Sequence, residues 1–147
     1  MVMIKMANVI EEEILNNGEI VIVARGASMW PMLHPQNNII KLKKVDKPLK
    51  KYDVVAFRRN DNIVLHRIIK VYENSYDICG DSAYRIEKDI KIQDIIGILS
   101  EFVSNSKNSD NIKWIRVDNI FYKIYARLVV LFMPIRRLLL RIYYKLS

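Results

Sequence analysis

The chain has 147 residues and carries 24 lysines and arginines against 16 carboxylates, a formal charge of +8. Its length is one domain's worth, enough to bury a core without metals or disulfides; its single cysteine, Cys79, excludes an intrachain disulfide and any cysteine-rich metal site, and reads as a buried thiol. The charge calls for an acidic partner, but the basic residues are scattered among isoleucines and leucines without a recognisable nucleic-acid motif, so nucleic acid is not expected.

From the N-terminus, Val2, Met6, Val9, Ile10 and Ile14 recur at helical spacing. They predict a short amphipathic helix over 1–18 that Asn16-Asn17-Gly18 ends, with Gly18 as the left-handed cap. Lys5 and the run Glu11-Glu12-Glu13 exclude a secretory signal peptide there, so a cytoplasmic location is expected. The period then becomes strand-like. Residues 19–24, 39–44, 53–58, 63–72, 76–79 and 95–103 read as strands, with a turn at 47–51 and a hairpin connection at Arg59-Asn60-Asp61-Asn62. Mostly short connections make 19–103 a small, mainly β, antiparallel domain.

Residues 104–111 contain no apolar side chain, and 104–116 reads as a linker. Beyond it, 117–147 is dense in apolar residues with cations inserted and reads as a basic amphipathic helix. Its longest uncharged piece, 128–135, is far short of the ~20 residues needed to cross a bilayer. Arg137, Arg141 and Lys145 would share one face. Such a helix either lies peripherally in an anionic membrane interface or packs its apolar side on the β-domain or a partner, kinked at Pro134.

Inside the β-domain, Gly26-Ala27-Ser28-Met29-Trp30-Pro31-Met32-Leu33 places a serine two residues after a glycine and ahead of Met-x-Pro-x-Leu. Ser28 is the candidate nucleophile, and a serine hydroxyl needs a base to become one. Of the two histidines, His66 sits in the apolar segment Ile63-Val64-Leu65-His66-Arg67-Ile68-Ile69, which would fix its ring. His34 lies in a proline-bounded loop and reads as a surface residue, the fallback base. An imidazole with its ordinary pKa near ~6.5 is mostly neutral at physiological pH and accepts the serine proton without tuning. Lys41, Lys43 and Lys44 read as a solvated strand edge, and Arg67 as a brace for a strand or carboxylate.

The serine stretch resembles the nucleophile box of the signal peptidase and LexA-like superfamily of serine peptidases, Gly-x-Ser-Met-x-Pro-x-Leu. Three further blocks follow in that family's order. Tyr52-Asp53-Val54-Val55-Ala56-Phe57 is similar to its Gly-Asp-Val-Val-x-Phe strand, with Tyr52 in the place of glycine; Leu65-His66-Arg67-Ile68 is similar to its base-bearing strand; Gly80-Asp81 is similar to its later Gly-Asp element. The resemblance covers about 20–103, and four blocks in order are specific where any one alone would be weak. Gln36-Asn37-Asn38 stands where the family usually has a Gly-Asp after the nucleophile box.

The resemblance implies a signal-peptidase or LexA-like β-fold. Because His66 occupies the position of the lysine base of bacterial members, it also implies the serine–histidine chemistry of the endoplasmic-reticulum and archaeal type. It points to Asp81 as the carboxylate that holds His66 in one tautomer, with Glu87 and Asp89 as alternatives. It further points to the Ser28 N–H as an oxyanion donor, and to Gly26, Met29 and Pro31 as shapers of the nucleophile turn and its substrate-binding surface. A self-cleaving repressor is not expected, since 27 residues precede Ser28 and hold no Ala-Gly or Cys-Gly pair.

The resulting expectation is a small anchorless serine endopeptidase that cleaves a leader, signal or precursor peptide without metal or cofactor. The substrate would lie extended beside a strand edge, with small pockets near the cut. The C-terminal helix would bring the enzyme to the inner membrane surface or to a partner. The competing expectation is a non-catalytic module on the same fold that binds peptide or membrane.

Overall fold

The computed structural model describes residues 2–35, 38–60, 62–104 and 112–147. Helix α1 (Val2–Asn17) ends where Gly18 takes a φ of 82° and donates its N–H to the Ile14 carbonyl at 2.9 Å. Only a residue without Cβ enters that left-handed cap without strain. The side of α1 facing the sheet is Ala7, Ile10 and Ile14, spaced by three and four residues, with Ala7 and Ile14 buried. Val9, expected on that side, lies ~200° around the helix from Ala7 and is exposed. The side chains of Val2 and Met6 lie outside the described ones. Arg58 reaches Asn8 and Glu11 and ties the helix to the sheet.

Strands β1 (Glu19–Ala24), β2 (Asn38–Lys43), β3 (Val54–Arg59), β4 (Asn62–Val71), β5 (Tyr76–Cys79), β6 (Glu87–Ile90), β7 (Ile95–Ser104) and β8 (Lys113–Arg116) form one sheet. Its order is β1-β2-β7-β3-β4-β5-β6, with β8 also on β7, and every pairing is antiparallel. Strand β7 gives one edge to β2 and the other first to β3 and then to β8. The mainly β, antiparallel expectation therefore holds.

Three local readings differ from the structure. Strand β2 is interior, so its lysines are not a sheet edge; Lys41 sits 3.5 Å from Glu101 and Lys43 3.9 Å from Glu19 on neighbouring strands. Strand β6 is absent from the sequence reading because Glu87-Lys88-Asp89-Ile90 is charged and has no alternating apolar residues; pairing with β5 holds it in the sheet through a register shift, with Asp89 at a φ of 59°. Strand β8 occupies the end of the expected linker, where Trp114 and Ile115 pair with Val103 and Phe102. Residues 105–111 of that linker lie outside the described residues.

The core has two parts, divided by β3. Val54 and Ala56 join Ile14, Ile40, Leu42 and Leu99 on one face, while Val55 and Phe57 join Leu49, Ile68 and Ile78 on the other. Strand side chains alternate faces, so a continuous apolar run such as Val54-Val55-Ala56-Phe57 belongs to a strand covered on both sides.

Helix α2 (Ile120–Leu146) starts at Asn119, whose side chain accepts the Phe121 N–H at 2.8 Å, and runs through Pro134 as one element. Tyr122, Ala126 and Met133 are buried. Further along, Arg136 Nη2 donates to the Gly80 and Ala83 carbonyls at 3.3 and 2.9 Å, and Arg137 Nε donates to the Tyr84 carbonyl at 2.7 Å. Arg137 is thus held by the β-domain, while Arg141 and Lys145, one and two turns further along, are exposed. Among the described residues, no helix is long and apolar enough to cross a membrane.

Candidate active site

Strand β1 delivers the chain into a tight turn. Gly26 has a φ of 114°, strained for any residue with a Cβ. The Trp30 N–H donates to the Ala27 carbonyl at 3.0 Å and the Leu33 N–H to the Met29 carbonyl at 2.9 Å. Met29 and Leu33 are buried in the core beside α1, so the apolar positions after the serine peg the turn in place. Ser28 itself is half-buried. Among the described residues, neither its hydroxyl nor its N–H has a hydrogen-bond partner.

The segment Gly80-Asp81-Ser82 closes over this turn from the end of β5. The Ser82 N–H donates to the Ser28 carbonyl at 2.9 Å, and Ser82 Oγ donates to the Ala27 carbonyl. A Cβ on Gly80 would lie 2.5 Å from the Ser28 carbonyl oxygen and 3.0 Å from Ser28 Cβ. Only glycine allows the two turns to meet. Strands β4 and β5 pair as far as Arg67 with Cys79, so His66 and Gly80 are the residues that flank the last pair on the two chains. Ser28 touches Gly80, and among the described residues no hydrogen bond joins Ser28 to His66.

His66 is 4% exposed, opposite Val55 on β3, with its ring 5.8 Å from that of Phe57. Its Nδ1 lies 2.9 Å from Glu87 Oε1, within ion-pair distance but outside aligned hydrogen-bond geometry. Glu87 also meets Arg59 Nη1 at 3.2 Å. Burial pushes the imidazole below its ordinary pKa of 6.5; Glu87 opposes that shift and Arg59 adds to it. The result is a ring held neutral at physiological pH, as a general base must be.

Asp81 does not orient His66. Its carboxylate takes Arg67 in a two-pronged pair, Nε to Oδ1 at 2.8 Å and Nη2 to Oδ2 at 2.7 Å, and accepts the Tyr125 hydroxyl at 2.9 Å. Arg67 and Asp81 are both fully buried, and a buried guanidinium needs its carboxylate at bonding distance. The acid expected beside the base is instead the brace for Arg67, and Glu87 takes the place beside the imidazole. Asp89 is exposed and pairs with Lys91 at 2.6 Å.

Gly26, Ser28 and Met29 line a cavity of about 430 Å³ with Ile22 and Ala24 of β1 and Leu65 of β4. It is broader than the small pockets expected. Pro31 lies elsewhere, on a cavity between β8 and α2. His34 is exposed, and its backbone exchanges hydrogen bonds with Asn38. Cys79 is fully buried, and burial pushes its thiol up, which keeps it protonated and inert.

Sequence reasoning missed Arg59, Tyr122, Tyr125 and Arg136 as supports of this region. Tyr122 and Tyr125 carry a signal, since two tyrosines three residues apart share a helix side and each brings a hydroxyl that needs a partner when buried. Comparison with known proteins finds no matching family model, no matching curated relative and no matching solved structure.

Proposed function

We propose that the protein is a serine endopeptidase of the signal peptidase type, with Ser28 as nucleophile, His66 as general base and Glu87 as the carboxylate that stabilises the imidazolium. The observation that carries this reading is the meeting at Gly80. The Ser28 turn packs on Gly80 at the end of β5, β5 pairs with the His66 strand β4, and β4 pairs in turn with β3, so four sequence blocks that are far apart in the chain are joined through one set of neighbouring strands. Tyr52 adds support, because its φ of 83° is the conformation for which the resembling pattern has glycine.

In this mechanism His66 takes the Ser28 hydroxyl proton as the oxygen attacks the scissile carbonyl. Glu87 favours the charged ring that forms, and the Ser28 N–H donates to the developing oxyanion. His66 then gives the proton to the leaving amine. Strand β1 supports substrate binding, since it ends the sheet, pairs only with β2 among the described strands, and leads to Ser28 four residues on. An extended peptide added to its open edge would bring its side chains to the apolar cavity.

The test is cleavage of a leader-peptide library, together with fluorophosphonate labelling, for wild type, Ser28→Ala, His66→Ala and Gly80→Ala. Wild type is expected to cleave and to label at Ser28, and the first two variants to lose both. Gly80→Ala, which must displace the Ser28 turn, is expected to fall by roughly 100-fold, the order of effect of a misplaced reacting group. A wild-type chain that neither cleaves nor labels would replace the enzyme with a peptide-binding module. Activity that survives His66→Ala would remove His66 as the base.

A further inference from the structure

Helix α2 divides its circumference into three. One side, with Tyr122, Ala126, Met133 and Arg136, faces the β-domain. A second is an unbroken apolar stripe of Phe121, Leu128, Leu131, Ile135, Leu139 and Leu146, from 48% exposed at Leu128 to 84% at Leu146. These positions recur at helical spacing from one end of the element to the other, about 38 Å at 1.5 Å per residue. Along the border of the stripe run Lys123, Arg127, Arg141 and Lys145, all exposed, although Arg127 also stacks over the Tyr52 ring at 5.2 Å. The helix has no carboxylate.

An exposed apolar stripe of this length on a small domain marks an interaction surface. The charge decides what covers it. A second copy packed on the same stripe by two-fold symmetry would bring its own cation row alongside, with no carboxylate on either helix to neutralise it. A surface of anionic headgroups over hydrocarbon matches both halves at once, because apolar side chains enter the acyl boundary and the flanking cations reach the phosphates.

We propose that α2 is an interfacial membrane-docking helix, seated lengthwise in an anionic bilayer with the stripe inward and Lys123, Arg127, Arg141 and Lys145 at the headgroups. The side occupied by Tyr122, Met133 and Arg136 stays on the β-domain. This docking is independent of the peptidase reading.

The experiment is co-sedimentation of the full chain with vesicles of phosphatidylcholine alone and of phosphatidylcholine mixed with phosphatidylglycerol. The wild type is expected on the mixed vesicles and not on neutral ones, and to be released as salt rises. Lys123→Gln/Arg141→Gln/Lys145→Gln is expected to weaken binding on the order of 100-fold, from the known contribution of each cation near such a surface. Leu131→Ser/Leu139→Ser is expected to weaken it while circular dichroism and the unfolding midpoint stay near wild type, since neither side chain is packed in the fold. Equal binding by the charge variant, or no binding of folded wild type to the mixed vesicles, overturns the proposal. A dimer in solution that the leucine variant dissociates, with no vesicle binding, assigns the stripe to a second copy and also overturns it.

Discussion

At the residue scale, His66 carries the most specific expectation. A neutral base loses activity when it is protonated, so kcat/KM should fall on acidification through the folded-state pKa of His66, which lies below 6.5. Glu87 raises that pKa and Arg59 lowers it. Glu87→Gln should therefore move the acid limb to lower pH and reduce kcat as well, since the imidazolium loses its carboxylate. Arg59→Gln should move the limb to higher pH by a smaller amount, because Arg59 is half exposed and solvent screens it. NMR titration of the imidazole reads both shifts without reference to activity, and shifts of the same sign would contradict the arrangement. Stability carries the same sign. With the folded pKa below the unfolded value, the unfolded chain binds more protons between the two, so this contribution is present above about 6.5 and is lost as pH falls through the folded pKa.

The candidate serine and histidine stand out in the sequence because each is marked by its local residues: a glycine and a Met-x-Pro-x-Leu run for Ser28, an apolar strand for His66. The carboxylate does not. Asp81 stands in the more conspicuous motif, but the choice between it and Glu87 depends on Arg67, whose buried charge claims the nearer acid. Spacing along a chain does not show which of two neighbouring strand residues, His66 or Arg67, faces which acid.

At the scale of elements, the strands written in alternating or continuous apolar residues were readable to within a residue or so at most ends. The two missed strands, β6 and β8, are short and take their conformation from pairing with a neighbour. The junction of β4, β5 and α2 also lies beyond local reading, since Arg67 spans 14 residues to Asp81 and 55 to Tyr122. Arg67 Nη1 donates to the Tyr122 hydroxyl at 3.1 Å and to the Tyr52 carbonyl at 3.0 Å, while Tyr125 holds the other side of Asp81. Removing one member leaves a buried charge without its partner. Arg67→Met should cost about 3–5 kcal/mol in urea unfolding, and Arg67→Met/Asp81→Leu less than Arg67→Met alone. A double variant as unstable as the sum of the two singles would mean that the pair does not act as a unit.

At the scale of the whole molecule, α2 and the candidate active site are mechanically one. The docked side of the helix bonds the carbonyls of Gly80, Ala83 and Tyr84 beside the turn that holds Ser28, and Tyr144 packs on the Tyr84 ring beyond them. A helix seated on lipid would transmit its position to that turn through Arg136 and Arg137. Arg136→Met/Arg137→Met should leave the β3 and β7 core intact and loosen 80–85, because each lost charged hydrogen bond to a carbonyl raises local opening by roughly tenfold or more. Hydrogen exchange gives the reading directly: faster amides at Ser82 and Ala83, unchanged amides in β3, and a parallel drop in kcat/KM. Faster exchange spread evenly over the sheet would mean that the arginines support global stability alone. No change at 80–85 would mean that the first half of α2, through Tyr122 and Tyr125, suffices to hold the helix on the domain.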